Sequence, residues 1–254
     1  MRFMSVFRPN CVMFLVALGL ASGAMAADIV VLSAGAIEPG LRAAATAFEK
    51  QTGHQVNITF NSAPELRKRM DGNPAFDVVI APPGVINEFA AAAKLAAARV
   101  NVGRVGMGVT VRDGSPSPDI SSADAVKKSV LAAESLVFNR ASTGLYLEGL
   151  LKKMDVCTQI ESKTTRYPYG ASVLEHVIKG KGKEMAFAAV TEILLYTSKG
   201  LKLVGPLPAD IQNYTAYTVA PLASSASQAL AQQFVMFLSG PVGKPLFVAA
   251  GVMD

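Results

Sequence analysis

Four short stretches of the chain concentrate small polar residues: Ser33 to Ala36, Asn61 to Ala63, Ser142 to Gly144, and Tyr169 to Ser172. Hydroxyls, side-chain amides and backbone N–H groups left open by Gly and Ala are the donors with which a protein holds a small anion. The same residue types are also ordinary helix N-caps, so any one stretch taken alone reads as a cap. The supply for catalysis is thin. His54 and His176 are the two histidines, and neither His-x-x-His nor Cys-x-x-Cys occurs, so no metal site is expected. Ser172, with His176 one helical turn on and a carboxylate such as Glu175 or Glu192, is the one nucleophile–base grouping worth testing. Gly170-Ala171-Ser172-Val173 lacks the second glycine of a nucleophile elbow. Phosphate-loop and dinucleotide fingerprints are missing too, so no cofactor and no enzymatic activity are expected.

The elements around these stretches place them at one kind of position. Asp28 to Leu32 is a continuous apolar run that reads as a buried strand, and Leu41, Ala44, Ala45 and Phe48 recur at helical spacing after Glu38-Pro39. Gln55 to Phe60 alternates as a second strand, Leu66 to Met70 continues a second helix, and Phe76 to Ile80 is a third strand before an alanine-rich helix from Val85 to Ala98. A glycine-broken strand, Val105 to Arg112, and the loop Asp113 to Pro118 mark a crossing into a second set. That set holds strand Ser135 to Asn139, helix Leu145 to Met154, a helix ending at Lys179, and apolar strand candidates at Glu184 to Val190 and Leu201 to Val204. Tyr214 to Ala220 reads as the return strand, and Ser225 to Leu238 as an amphipathic helix. Strands alternating with helices predict an α/β fold of two lobes, each a doubly wound, mostly parallel sheet flanked by helices. The expected division is 27–108 with 218–254 for the first lobe and 109–217 for the second, with a cleft between them. In such sheets ligands sit beyond the carboxyl ends of the strands, where all four polar turns fall.

Composition narrows the partners. The 254 residues are 51% hydrophobic and 17% charged, which describes a folded chain. Arg2 and Arg8, the apolar run Cys11 to Ala21, and Ala24-Met25-Ala26 have the three parts of a secretory signal, with cleavage expected after Ala26. Losing Arg2 and Arg8 lowers the net charge from +5 to +3, with no basic stripe, so nucleic acid is not an expected partner. Cys157 is the one cysteine beyond the signal, so no internal disulfide is expected, and no cysteine follows the cleavage site to carry a lipid anchor. The expectation is a soluble, monomeric periplasmic protein.

The opening strand with Ser33-Ala34-Gly35-Ala36, the Phe60-Asn61-Ser62 turn, the Phe76 to Ile80 strand, Ser142-Thr143-Gly144-Leu145-Tyr146 and Ser239-Gly240-Pro241-Val242-Gly243 together resemble the periplasmic molybdate-binding proteins of ABC transporters. The resemblance runs over essentially the whole mature chain and implies a type II periplasmic binding fold. It also implies an oxyanion held by hydroxyls and backbone N–H groups, and a membrane permease as partner. Carried over by position, it puts Ala36 where the family has a first-turn serine, Ser62 near the second-turn serine, Thr143 and Ala171 at small positions of the third and fourth turns, and Thr191 as the one hydroxyl near the family's late tyrosine. Ser33, Gly35, Asn61, Ser142 and Tyr169 complete the expected ligand-binding set. With two family hydroxyls replaced, two pockets stay open: a remade oxyanion site using Ser33, Asn61 and backbone groups, or a roomier one for a small organic acid, with Arg140 and Arg166, just before two of the turns, as candidate bidentate clamps on a carboxylate and Arg140 the first to test. A sensory module and, less favoured, a secreted hydrolase are the other classes.

Overall fold

The computed structural model describes residues 27–72, 75–96 and 98–254; the signal expected within residues 1–26 lies outside them. The first half runs β1 (Asp28–Ala34), a 3-10 turn (Gly35–Ile37), α1 (Glu38–Thr52), β2 (Gln55–Asn61), α2 (Ala63–Asp71), β3 (Val78–Ala81) and α3 (Pro83–Ala91). A long strand, β4 (Val100–Arg112), leads to α4 (Ala123–Ala132), β5 (Ser135–Asn139), α5 (Ser142–Lys153), α6 (Cys157–Ile160), β6 (Thr164–Tyr167), α7 (Gly170–Lys179), β7 (Glu184–Ala189) and α8 (Val190–Leu194). Then come β8 (Leu201–Pro206), β9 (Tyr214–Pro221), α9 (Gln228–Ser239) and α10 (Gly243–Ala249).

The fold is the two-lobed type II periplasmic binding architecture. In the first lobe β2, β1 and β3 are parallel, and β9 joins them antiparallel to β3. In the second, β6, β5 and β7 are parallel. β4 belongs to both: Val100 to Gly106 pair with β9, whereas Met107 to Thr110 pair with β7, and Gly108 to Arg112 with β8. The change of partner at Gly106/Met107 is fixed by Gln212, whose Oε1 accepts from the Met107 N–H at 2.8 Å while its Nε2 donates to the Met107 carbonyl at 3.0 Å. β9 pairs with β4 along Tyr214 to Val219 and with β3 along Thr218 to Pro221.

Each lobe buries its own core. In the first, Phe48 of α1 meets Phe234 and Phe237 of α9 edge-on, with centroids 5.0 and 5.2 Å apart. In the second, alternation along β5 sends Leu136 and Phe138 to one face and Val137 to the other. β7 likewise sends Met185 and Phe187 one way and Ala186 and Ala188 the other, so helices cover both faces. α3 ends at Ala91 and not near Ala98, because Ala93 takes a left-handed φ of 54° that a helix cannot continue, and Leu95 then bridges to Leu222. α4, α6, β6 and α10 are elements the sequence pattern did not single out.

Candidate functional site

A cavity of about 320 Å³ opens between the lobes at the strand ends. The first lobe contributes Gly35 and Ala36 after β1, Asn61 and Ser62 after β2, and Pro82 after β3; the second contributes Asn139, Ser142 and Thr143 after β5, and Tyr169 to Ser172 after β6. Several helices start on this wall, three of them from the polar turns. α2, α5 and α7 follow Ser62, Ala141 and Tyr169, and none of these N-cap side chains accepts a bond from its own helix. The first-turn N–H groups and the positive ends of three helix dipoles are therefore turned towards one space. At α5 the Asn139 Oδ1 takes the N–H groups of Ala141 and Gly144, at 2.9 and 3.2 Å, which leaves those of Ser142 and Thr143 facing the cavity wall.

Among the described residues, Asn61 is the buried side chain on this wall that keeps a polar atom without a partner. It is 8% exposed, its Oδ1 accepts from Arg69 Nε at 3.3 Å, and its Nδ2 has no partner. A buried amide donor without an acceptor costs on the order of 1–3 kcal/mol, a cost that a bound acceptor would remove.

One carboxyl stands among these donors. Glu192 of α8 lines the cavity and is half-buried. Its oxygens lie so close to Gly170 that a Cβ there would stand 2.2 Å from Oε2, and a Cβ at Gly35 would stand 3.2 Å from Oε1. Only glycine at position 170 leaves the carboxyl room. No ion pair among the described residues involves Glu192, and burial pushes its pKa from 4.5 up to about 7; hydrogen bonding at the Ala189 backbone opposes the rise and the Glu38 charge adds to it. Tyr217, also on the wall, has its phenol pushed above the ordinary value by burial first and by the Glu192 charge second. Glu38 at the cavity edge is held by Arg42 Nε at 2.7 Å.

Of the residues expected to bind, Gly35, Ala36, Asn61, Ser62, Ser142, Thr143, Tyr169 and Ala171 lie on the cavity wall. Ser33 and Thr191 do not. Ser33 is wholly buried in β1 and turns its hydroxyl to the Ala34 carbonyl at 3.1 Å. Thr191, equally buried, donates its hydroxyl to the Ala36 carbonyl and so ties α8 to the first turn. The arginine clamp is not built: Arg140 is exposed and off the wall, and Arg166 lies over the Phe138 ring, paired with Glu148 at 2.8 Å and Glu161 at 2.9 Å. Among the described residues no Lys, Arg or His lines the cavity. In the hydrolase grouping, His176 Nδ1 is hydrogen-bonded to the Tyr167 hydroxyl at 2.9 Å and not to Ser172. From the sequence, Glu192 figures only as a carboxylate for the Ser172 and His176 grouping, and Tyr217 is not among the expected ligand-binding residues; a lone Glu in a short apolar segment gives no sign of facing a ligand.

The chain belongs to the bacterial extracellular solute-binding proteins, whose family model matches residues 29–252. Among solved structures, the periplasmic molybdate-binding protein of Azotobacter vinelandii superposes with a TM-score of 0.70 at 18% identity, covering 89% of this chain and 99% of that one. The sulfate-binding protein SubI of Mycobacterium tuberculosis gives 0.71 at 17%, covering 89% and 86%. A protein of Pseudomonas sp. named aconitate isomerase is 28% identical over 218 residues, 83% of this chain and 82% of its own length.

Proposed function

We propose that this protein is a periplasmic binding protein that captures a small organic polycarboxylate between its lobes and presents the closed form to the membrane permease of an ABC importer. The observation that carries the reading is the unpartnered, buried Asn61 Nδ2 on a wall where three helices begin from polar turns. Size supports the organic acid over a bare oxyanion. A cleft of about 320 Å³ is more than the five heavy atoms of a tetrahedral oxyanion fill. Charge is met by helix dipoles and neutral donors in place of cations, and closure follows because donors from both lobes meet the same ligand. The substrate in the name of the Pseudomonas relative, an unsaturated tricarboxylate, is of this class.

A second reading is that the cleft also interconverts isomers of such an acid. The Glu192 carboxyl, inside an anion site and free of any cation, favours it, as does the name of that relative.

Thermal unfolding against cis- and trans-aconitate, citrate, molybdate, tungstate and sulfate tests the binding. A ligand at ~100 times its Kd adds roughly 2.7 kcal/mol. Stabilisation by a carboxylate that is lost in Asn61→Ala is the expected result. Stabilisation by an oxyanion alone returns the ligand to the molybdate-like class, and no shift with any of them overturns the reading.

A further inference from the structure

We propose that Glu192 is the acid–base group that moves a proton between the two ends of an allylic system in an unsaturated polycarboxylate held in the cleft, so that the site shifts the acid's double bond. This inference rests on the second reading above. The geometry has three parts. α8 sits at the lobe junction, packed on β4 and against the first turn and α1, so the carboxyl projects between lobes and not from one of them. The close approach to Gly170 sets that carboxyl at the N-terminus of α7, beside Ala171 and Ser172, whose N–H groups are among the open donors of the wall. An anion anchored on those donors therefore lies against Glu192.

The other titratable groups on the wall are Glu38, Tyr169 and Tyr217. Glu38 is ion-paired with Arg42, Tyr169 is 39% exposed, and the Tyr217 phenol holds its proton more tightly than usual. Glu192 alone combines partial burial, freedom from a cation and a proton affinity near neutrality, where a group serves both as acid and as base.

The step balances without a co-reactant. The ionised Glu192 takes a proton from the methylene carbon between the double bond and a carboxylate. The C–H electron pair forms the new double bond, and the old π pair moves to the far carbon, where it spreads into the attached carboxylate. Protonated Glu192 then returns the proton to that far carbon. Nothing is oxidised or reduced, and one carboxyl reaches both carbons because they are separated by a single atom. The transient extra charge develops against helix N-termini and the Asn61 amide, which are already oriented for it.

The test follows the proton nuclear magnetic resonance signals of cis- and trans-aconitate with the wild-type protein, Glu192→Gln and Gly170→Ala, alongside the melting shift of each with the same acid. Expected are interconversion by the wild type and a fall of at least ~100-fold in Glu192→Gln, which still gains stability from the acid. Gly170→Ala, whose new Cβ displaces the carboxyl, loses interconversion as well. A wild type that is stabilised by the acid yet converts none of it overturns the proton transfer and leaves binding intact. Full activity in Glu192→Gln overturns the assignment of the residue, and a wild type that no carboxylate stabilises overturns the binding reading itself.

Discussion

Replacing Glu192 by Gln removes a charge from the cleft at high pH and almost nothing at low pH, which makes its effect on folding readable without any ligand. In the native protein the carboxyl titrates near 7, and the ordinary value for the exposed group is 4.5. Between these values the native state holds a proton that the unfolded chain has released, so native stability falls as pH rises. The contribution is fully present below about pH 4.5, declines through the interval and is gone above about pH 7. At about 1.4 kcal/mol per pH unit, the interval corresponds to about 3 kcal/mol. Gln stays neutral throughout. The variant should therefore match the wild type near pH 4.5 and exceed it by about 3 kcal/mol near pH 8.5. For a chain of this size that is a gap of roughly 6–12 °C in Tm. Paired thermal scans from pH 4.5 to 8.5 measure it, and other titrating groups cancel in the difference. A wild-type-minus-variant difference that does not change with pH would refute the claim that Glu192 is partly buried and unpaired.

Two further substitutions test the packing and the junction. Thr191→Val keeps the shape but leaves the buried Ala36 carbonyl without its donor, and should lower stability by about 1–3 kcal/mol in denaturant unfolding; an unchanged midpoint would show that the hydroxyl does not tie α8 to the first turn. Phe234→Ala removes one wholly buried ring of the first lobe's aromatic cluster and should cost about 3–5 kcal/mol, whereas Met236→Ala on the same helix, 55% exposed, should stay within about 0.5 kcal/mol. Equal losses would contradict the orientation of α9.

Much of the architecture is legible in the residues because periodicity and end signals agree. Asp28 to Leu32, the helix closing at Gly53 with φ 77°, and the strand at Glu184 each carry one clear period and a clear stop. α10 escapes for the opposite reason. Pro245 reads as a breaker, yet it lies in the first turn of Gly243–Ala249, where its missing N–H would have had no helical acceptor. β4 is likewise hard to delimit, since nothing in Val100 to Arg112 announces that one strand serves two sheets. At the site, the four polar turns are visible because cap chemistry and ligand chemistry use the same residue types. The arginines mislead because a guanidinium beside a turn finds carboxylates elsewhere, as Arg166 does with Glu148 and Glu161.

Glu192 shows why charge in a cleft has to be counted with its proton. An ionised carboxylate facing three helix N-termini would compete with an incoming anion for the same donors, and a fixed negative charge there would oppose binding of a polycarboxylate outright. A carboxyl that titrates near neutrality does neither, because an approaching anion favours its protonated form, which then donates a hydrogen bond to the ligand in place of repelling it. The fraction that stays ionised near neutrality is the base that the proposed proton transfer needs. The proposed binding and the proposed proton movement thus draw on one property, the position of Glu192 between Gly35 and Gly170. Both glycines lie close against the carboxyl there, and any side chain at position 170 would force it out.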